Sequence, residues 1–298
     1  MSAAVPTWLL AGAGAVVLAA LLLLAVAGLG RWRWRAASTQ LLAQLQATRR
    51  PRAAGGSVAA VALHELEGLP LPVQRYLRLV LREGLPLIDS VHLHHSGTFN
   101  MKSDGEGWKP FTSVQQVQTQ RPGFVWDASV SLAPGLDVRV HDAYVGGRGV
   151  LHAAVLGAVP VARLSGGGDL AQGELMRWLA ESPWYPTVLL PSQGVQWQAV
   201  DSRSADATVV DGEVTVTLRF RFDSDGFVDT VTAAARGRLV GRVVKPAPWQ
   251  GRFWNYALRS GLRVPLQGEV AWLLPGGASP YWRGRITSIV FDPSEAPS

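Results

Sequence analysis

The sequence predicts a mainly β protein with a few helices, in which one N-terminal transmembrane helix precedes a large curved antiparallel sheet, half-barrel-like and covered by helices. Three observations lead to this fold class. Apolar and polar residues alternate with a period of two over much of the chain after residue 90. Turn signals separate these runs, and helical patterns between them are rare. Near the N-terminus lies a single long apolar run without charges.

The apolar run covers residues 8–29, which are 22 residues without a charge. As a helix it would be about 33 Å long, and the hydrocarbon core of a bilayer is about 30 Å thick. A cleaved signal peptide is the alternative, because Ala25-Val26-Ala27 fits a cleavage site, but no Lys or Arg precedes the run. We therefore expect an uncleaved anchor over residues 1–30 and a single-pass membrane protein.

An arginine-rich segment follows, with six arginines between Arg31 and Arg52 and no acidic residue before Glu65. The positive-inside rule predicts that this side, and the folded domain after it, is cytoplasmic. The same arginines suit anionic lipid headgroups. We expect residues 31–57 to form a juxtamembrane segment and linker, and residues 58–298 to form a single β-rich domain.

Composition excludes several classes of function. The chain has 28 Lys and Arg against 22 Asp and Glu, and six of the basic residues precede residue 53, so the rest of the chain is neutral. A nucleic-acid groove needs clustered basic residues on a folded face, so no nucleic-acid partner is expected. Without cysteine, disulfides, cysteine metal sites and thiol catalysis are excluded. No cofactor is predicted.

Two helices are expected within the β-rich region. Residues 71–83 have an amphipathic pattern whose apolar stripe is Val73, Tyr76, Leu77, Val80 and Leu81. Residues 169–181 form the second helix, with Asp169 expected to cap its N-terminus and Pro183 to end it. The stiff aromatic segment over residues 184–191 contains two prolines and is not expected to be a central strand.

The strands are expected where the period is two. Asp211-Gly212 and Asp225-Gly226 are hairpin signals between such runs. Each strand is expected to have one apolar and one polar face, as in a sheet covered on one side. The runs cover residues 91–94, 124–130, 136–141, 195–198, 213–222, 227–235, 262–274 and 282–291.

Three stretches carry a resemblance to a known family. They are GELMRWLAESPWYPTVLLPSQGVQW (173–197), FRFDSDG (220–226) and the segment from GEVAWLLP to PYWRGRI (268–286). Together they resemble an uncharacterised bacterial family, a domain of unknown function that usually follows one membrane segment. The resemblance covers about residues 60–292, its WYPT-LLPS motif is the most specific part, and it implies no activity. More loosely, the strand succession resembles the half-barrel of lipoprotein carriers, which is a fold-level analogy.

Aromatic residues beside arginines in the second half of the chain give the candidate binding site. Aromatic side chains with polar edges suit a cleft for an amphiphile, and arginine suits an anionic headgroup. The leading hypothesis is therefore non-catalytic binding of an apolar or amphiphilic, lipid-like ligand. The candidate residues are Arg177, Trp178, Glu181, Trp184, Tyr185, Trp249, Arg252, Tyr281 and Trp282.

Two other functions stay open. A hydrolase or metal-dependent enzyme would use Glu174 and Glu181, seven residues apart on one helix, or His92 and His94 on one strand face. His95, His141, Asp127 and Asp142 are conceivable third metal ligands, but no ligand-spaced motif includes them. No residue is assigned as catalytic. The third possibility is a scaffold that binds protein partners at the membrane.

Overall fold

The computed structural model describes residues 7–49, 59–102, 105–241 and 243–293. Its helices are α1 (Thr7–Ala47), α2 (Leu71–Val80) and α3 (Gly168–Ala180). Its strands are β1 (Ile88–Asn100), β2 (Trp108–Gln118), β3 (Gly123–Ala133), β4 (Leu136–Val145), β5 (Arg148–Val155), β6 (Val159–Gly166), β7 (Gln196–Asp201), β8 (Ser204–Asp211), β9 (Val214–Phe222), β10 (Val228–Val240), β11 (Val243–Arg259), β12 (Leu262–Leu274) and β13 (Gly277–Pro293).

All of these strands belong to one open antiparallel sheet, in the order β6-β5-β4-β3-β2-β1-β13-β12-β11-β10-β9-β8-β7. The sheet consists of two meanders, β1–β6 and β7–β13, in which each strand pairs with the next one along the chain. The antiparallel pair β1–β13 joins the meanders, and β6 and β7 are the two edges. The prediction of a large antiparallel sheet is confirmed.

The segment that connects the two edges, residues 167–195, crosses one face of the sheet. We call it the crossing segment. It contains α3 and three short 3-10 turns, which end at Gln193. α3 contacts β5 and β9, which are nine places apart in the sheet. Nine strand spacings are about 43 Å in a flat sheet, and a 13-residue helix is only about 20 Å long. The sheet therefore curls around α3.

We call the face that contacts α3 the inner face. Phe124, Trp126, Ala128 and Val130 of β3 are buried on it, as the alternation predicts. On the opposite, outer face, α1 packs against β3 and β4. Because α1 covers this part of the outer face, outward-pointing residues of these strands, such as Val125, are buried as well.

Polar groups hold α1 on the outer face. The Trp34 ring stacks on His141 with centroids 3.9 Å apart, and its Nε1 donates to Asp127 Oδ1 at 3.0 Å. Ser38 Oγ donates to Asp127 Oδ2 at 2.6 Å and lies 2.8 Å from His141 Nε2. Asp127 Oδ2 lies 3.4 Å from the same nitrogen, His141 Nε2. In a catalytic triad the hydroxyl and the carboxylate contact different ring nitrogens of the histidine. Here both lie at Nε2 of His141, so this Ser-His-Asp set is not arranged as a triad.

The structure corrects the expectation of a membrane anchor. Among the residues that the structure describes, no helix is long and apolar enough to cross a membrane. The prediction of a single-pass membrane protein with a cytoplasmic domain is therefore wrong. Residues 24–47 of α1 carry Arg31, Arg33 and Arg35, and they bury Trp34 and Leu45 against the rest of the protein.

Of the last three arginines in the expected juxtamembrane segment and linker, the structure describes only Arg49. Arg49 lies just after α1 and pairs with the buried Asp89, N to O 2.8 Å. Arg50, Arg52 and the expected linker sequence lie outside the described residues, as does the side chain of Trp8.

The two predicted internal helices are present with shifted ends. α2 ends at Val80 because Leu81 is already extended, with φ −115° and ψ 160°. α3 begins at Gly168, one residue before the expected start. Its N-cap is Gly167, and no side chain caps the helix. Asp169 lies in the first turn instead, where its charge still favours the helix N-terminus.

Candidate ligand-binding cavity

A cavity of about 770 Å³ lies between α3 and the inner face of the sheet. Its walls come from both meanders and from the crossing segment. Ligand cavities in proteins are commonly about 300–1,000 Å³, so the space suits a molecule of lipid size. The aromatic residues that line it are Phe99, Trp126, Trp184, Trp249, Phe253, Trp272, Tyr281 and Trp282.

A β-bulge forms the aromatic wall on the side of β11–β13. The register between β12 and β13 shifts after Val270–Trp282, so that Tyr281 is an extra residue. Tyr281 and Trp282 both line the cavity, although adjacent strand residues normally face opposite sides. Trp249 Nε1 donates to Tyr281 Oη at 2.9 Å, and Trp272 stacks on Tyr281 with centroids 5.8 Å apart. The bulge thus places the Tyr281 ring in one wall with the rings of Trp249 and Trp272.

A cluster of charged side chains forms the opposite wall, centred on Arg177 of α3. Its guanidinium donates from Nη1 to Asp142 Oδ2 at 2.5 Å and from Nε to Glu181 Oε1 at 2.7 Å. Gln115 Nε2 donates to the second oxygen of Glu181 at 2.6 Å. The guanidinium also lies 5.0 Å from the ring centroid of Trp126, within cation–π range. Arg177 is thus already engaged on all sides.

Glu174 lies one helical turn before Arg177 and is almost fully buried, with 5% of its surface exposed. Its nearest cation is Arg236 of β10, at 3.8 Å from Oε2. Burial, followed by the negative charge of Asp142, raises the pKa of Glu174 well above its usual range. This environment, with the side-chain hydrogen bond to Asp142, favours the protonated carboxyl of Glu174.

Strand register brings part of this wall together. Gln115 on β2, Trp126 on β3 and Asp142 on β4 occupy paired positions on neighbouring strands of the inner face. Their positions in the chain gave no reason to group them, because cross-strand neighbours follow from register and turn lengths. Sequence reasoning missed Gln115, Trp126 and Arg236, and it considered Asp142 only as a metal ligand. The two-residue alternation in β3 and β4 could have placed Trp126 and Asp142 on one face.

A buried histidine lies near the Trp184 side of the cavity. The His95 and Trp184 ring centroids are 5.2 Å apart, and Ser113 Oγ lies 3.2 Å from His95 Nδ1. Burial, with further contributions from Arg177 and His94, lowers the pKa of His95 to about 3. The ring is therefore neutral at physiological pH.

The residues chosen from the sequence divide into three groups. Six line the cavity with buried or partly buried side chains: Arg177, Glu181, Trp184, Trp249, Tyr281 and Trp282. Trp178 and Tyr185 are buried in the core, where Trp178 Nε1 donates to Gln118 O at 2.9 Å. Arg252 borders the cavity, but its side chain is exposed and alternates with the buried Gly251 and Phe253.

The alternative enzyme sites find little geometric support. Glu174 and Glu181 both line the cavity, but both oxygens of Glu181 are hydrogen-bonded to Arg177 and Gln115. His92 lies 3.2 Å from Asp292 on the exposed surface. In the part of the chain that the structure describes, no group of three His, Cys, Asp or Glu side chains could hold a metal ion.

A model of a protein family, described as a family of unknown function (DUF6920), matches residues 67–291. The chain belongs to this family. The match covers all three stretches that carried the resemblance in the sequence. It also covers every residue that lines the cavity.

This DUF6920 member is also similar to solved structures, at low identity. One is a LolA superfamily protein from Nitrosomonas europaea, with 9% identity, a TM-score of 0.39 and coverage of 75% of this chain and 93% of that one. Another is a beta-barrel-like protein of the domain of unknown function DUF1849 from Brucella abortus, with 9% identity, a TM-score of 0.21 and coverage of 70% and 99%. No curated protein matches the chain.

Proposed function

We propose that this protein binds an apolar or amphiphilic, lipid-like ligand in the cavity between α3 and the inner face of the sheet, without chemical conversion. The observation that carries the proposal is the cavity itself, about 770 Å³ in volume and lined by eight aromatic side chains. Aromatic walls with a few polar groups at defined places are typical of sites for small apolar molecules.

The state of the charged groups supports binding rather than catalysis. Glu181 and Arg177 hold each other and their neighbours in hydrogen bonds, so neither has a free position for proton transfer to a ligand. Their role in the proposal is structural, because they fix α3 against the sheet and keep the cavity open.

A neutral apolar fluorophore tests the proposal without any assumption about a headgroup. We expect the full chain to bind N-phenyl-1-naphthylamine at one site, with increased and blue-shifted fluorescence. Gly173 of α3 lines the cavity, and a Cβ added there would have only Arg236 Nε within 4 Å, at 3.7 Å. A Gly173→Leu substitution therefore extends into the cavity, and we expect it to weaken binding at least tenfold.

Gly276→Leu is the matched control, since this exposed turn glycine has no atom within 4 Å of an added Cβ. It is expected to bind the fluorophore like the unchanged chain. Equal binding by a folded Gly173→Leu variant, judged by circular dichroism, would place the fluorophore elsewhere and contradict the proposal.

A further inference from the structure

The last five residue pairs of the β10–β11 hairpin project beyond the strands beside them. We call these pairs the ribbon, residues 236–240 and 243–247. β9 pairs with β10 only as far as Thr232, and β12 pairs with β11 only from Trp249 onward. Among the described residues, the ribbon therefore has no strand paired to either of its outer edges. A register shift just before Arg236 marks a β-bulge at its base.

The end of the ribbon is apolar on both of its faces. Leu239 pairs with Val244, and Val240 pairs with Val243. Partners across an antiparallel pair point to the same side, and successive pairs point to opposite sides. All four side chains are between 43% and 58% exposed. We call these four residues the tip.

Apolar side chains on both faces indicate what covers the tip. A flat protein surface covers one face of a projecting ribbon and leaves the other in water, whereas the apolar part of a lipid bilayer surrounds an inserted ribbon end. Two residue pairs extend about 7 Å, and the apolar faces of interfacial helices reach about 5–10 Å into a bilayer. The tip therefore suits insertion at a bilayer surface, which needs no segment that crosses the bilayer.

Cations lie directly behind the tip. The next pair along the ribbon is Arg238 and Lys245, of which Lys245 is exposed and Arg238 is partly exposed. The sequence has seven basic residues and no acidic residue between Asp229 and Glu269. Basic residues next to a bilayer strengthen binding to anionic lipids. The charge of the ribbon thus favours an anionic lipid surface over a neutral one.

The tip is continuous with the cavity. Leu239 and Val244 line the cavity as well as being exposed at the tip. Arg236 fixes the base of the ribbon to α3, because its Nε donates to Gly173 O at 3.1 Å, and its guanidinium lies 5.1 Å from the ring centroid of Trp249. An apolar molecule that leaves a bilayer beside the tip can therefore reach the cavity along apolar surface.

We infer that the tip inserts into the surface of an anionic lipid bilayer and places the cavity beside it. The contact is peripheral, with Leu239, Val240, Val243 and Val244 among the lipid chains and with Arg238 and Lys245 at the headgroups. The inference goes beyond the proposed function, because insertion of the tip does not require a ligand in the cavity.

A fluorescent label on the tip tests the inference in the full chain. The chain has no cysteine, so a single introduced cysteine takes the label at one place. Val243→Cys carries nitrobenzoxadiazole on the tip, at a residue that does not line the cavity. With vesicles of equal parts phosphatidylglycerol and phosphatidylcholine, we expect its emission to rise at least twofold and to shift to the blue. Vesicles of phosphatidylcholine alone are expected to give less than half of this rise.

Ser224→Cys is the matched control, because Ser224 is exposed in the turn at the other end of β10. The emission of its label is expected to stay unchanged. Equal rises at positions 224 and 243 would overturn the inference. An unchanged emission at position 243 would also overturn it and would leave a protein partner to cover the tip. Equal rises with both kinds of vesicle would overturn the role of Arg238 and Lys245.

A second substitution in the labelled chain tests the apolar character of the tip. Val240→Asp places a charge on the tip, and we expect the vesicle concentration for a half-maximal response to rise at least tenfold. Val290→Asp is the control, because Val290 is 52% exposed on β13 and lies outside the ribbon. Responses of Val240→Asp and Val290→Asp at the same vesicle concentration would contradict the inference.

The cavity and the tip are tested by separate signals. Binding of N-phenyl-1-naphthylamine without vesicles reports on the cavity, and Val240→Asp is expected to bind it like the unchanged chain. Absence of that binding overturns the proposed function and leaves the tip experiment valid. Absence of a vesicle response at position 243 overturns only the insertion of the tip.

Discussion

Glu174 is an almost fully buried carboxyl in the cavity wall. Burial and Asp142 raise the pKa of Glu174 well above its usual range, so the folded protein holds this proton to a higher pH than the unfolded chain does. The unfolded chain loses this proton near pH 4.3. The folded state thus binds more protons than the unfolded state, and its free energy of unfolding falls as the pH rises from about 4.3 to the folded pKa.

A Glu174→Gln substitution removes this loss of stability at higher pH, because the amide stays neutral. We expect its stability advantage over the unchanged chain to grow with pH, by up to about 1.4 kcal/mol per pH unit. Urea unfolding between pH 4 and pH 8 measures it. Glu213→Gln, at an exposed turn, is the control and is expected to follow the unchanged chain. The same pH profile in both variants would show that Glu174 is ionised in the folded protein.

At this scale the sequence indicated residue types better than their positions. Aromatic residues and arginines in the second half of the chain predicted Trp249, Tyr281 and Trp282, which do line the cavity. Trp178 has the same composition cues but faces the core, since its indole donates to Gln118 O. Composition cannot distinguish these cases, because the face of α3 that turns toward the cavity depends on packing.

Helix α1 shows at the scale of elements how a second layer changes strand burial. The alternation in β3 and β4 predicts one polar and one apolar face, and the inner face follows this rule except at Asp142. On the outer face His141 is completely buried because α1 covers it. From the sequence we expected the α1 segment to be an anchor followed by an Arg-rich juxtamembrane segment, and neither expectation includes packing on the sheet. An Arg-rich helix does not reveal that its Trp34 face packs on a sheet.

Two glycines of α1 test its docking. An added Cβ at Gly30 would lie 2.5 Å from Leu156 O in the turn between β5 and β6, whereas Gly28 has no atom within 4 Å. In an open position, Gly→Ala stabilises a helix by up to about 1 kcal/mol. We therefore expect Gly28→Ala to raise or preserve the melting temperature and Gly30→Ala to lower it.

Hydrogen exchange of the α1 amides gives the second readout for this pair. Exchange is expected to become faster in Gly30→Ala near Trp34 and Ser38, whose contacts with Asp127 and His141 hold the helix. If both variants exchange at the same rate and melt at the same temperature, the close approach of α1 to the β5–β6 turn is contradicted.

For the whole molecule, the cavity connects the two meanders, because β3–β6, β10–β13 and the crossing segment all contribute to its walls. A ligand there should stabilise the entire folded unit. At a concentration 100-fold above its Kd, the fluorophore is expected to add about 2.7 kcal/mol and to raise Tm by about 5–10 °C.

Circular dichroism during heating measures this shift, and the intrinsic tryptophan emission should change at the same temperature. The Gly173→Leu variant is expected to show a much smaller shift at the same fluorophore concentration. A saturating fluorescence signal without any change in Tm would indicate a surface site that the unfolded chain shares.

The pairing of β1 with β13 has a consequence for synthesis of the chain. Ile88 and Pro293 are register partners about 200 residues apart, whereas the other strand pairs within each meander are sequence neighbours. During translation β1 can pair with β2 early, but its other edge has no native partner until β13 leaves the ribosome. Contacts of such long range form slowly, and an unpaired strand edge is a template for association with other chains. Strand β1 thus stays without one of its two native neighbours for longer than the other strands do. Its free edge is the part of a nascent chain that most needs protection from association.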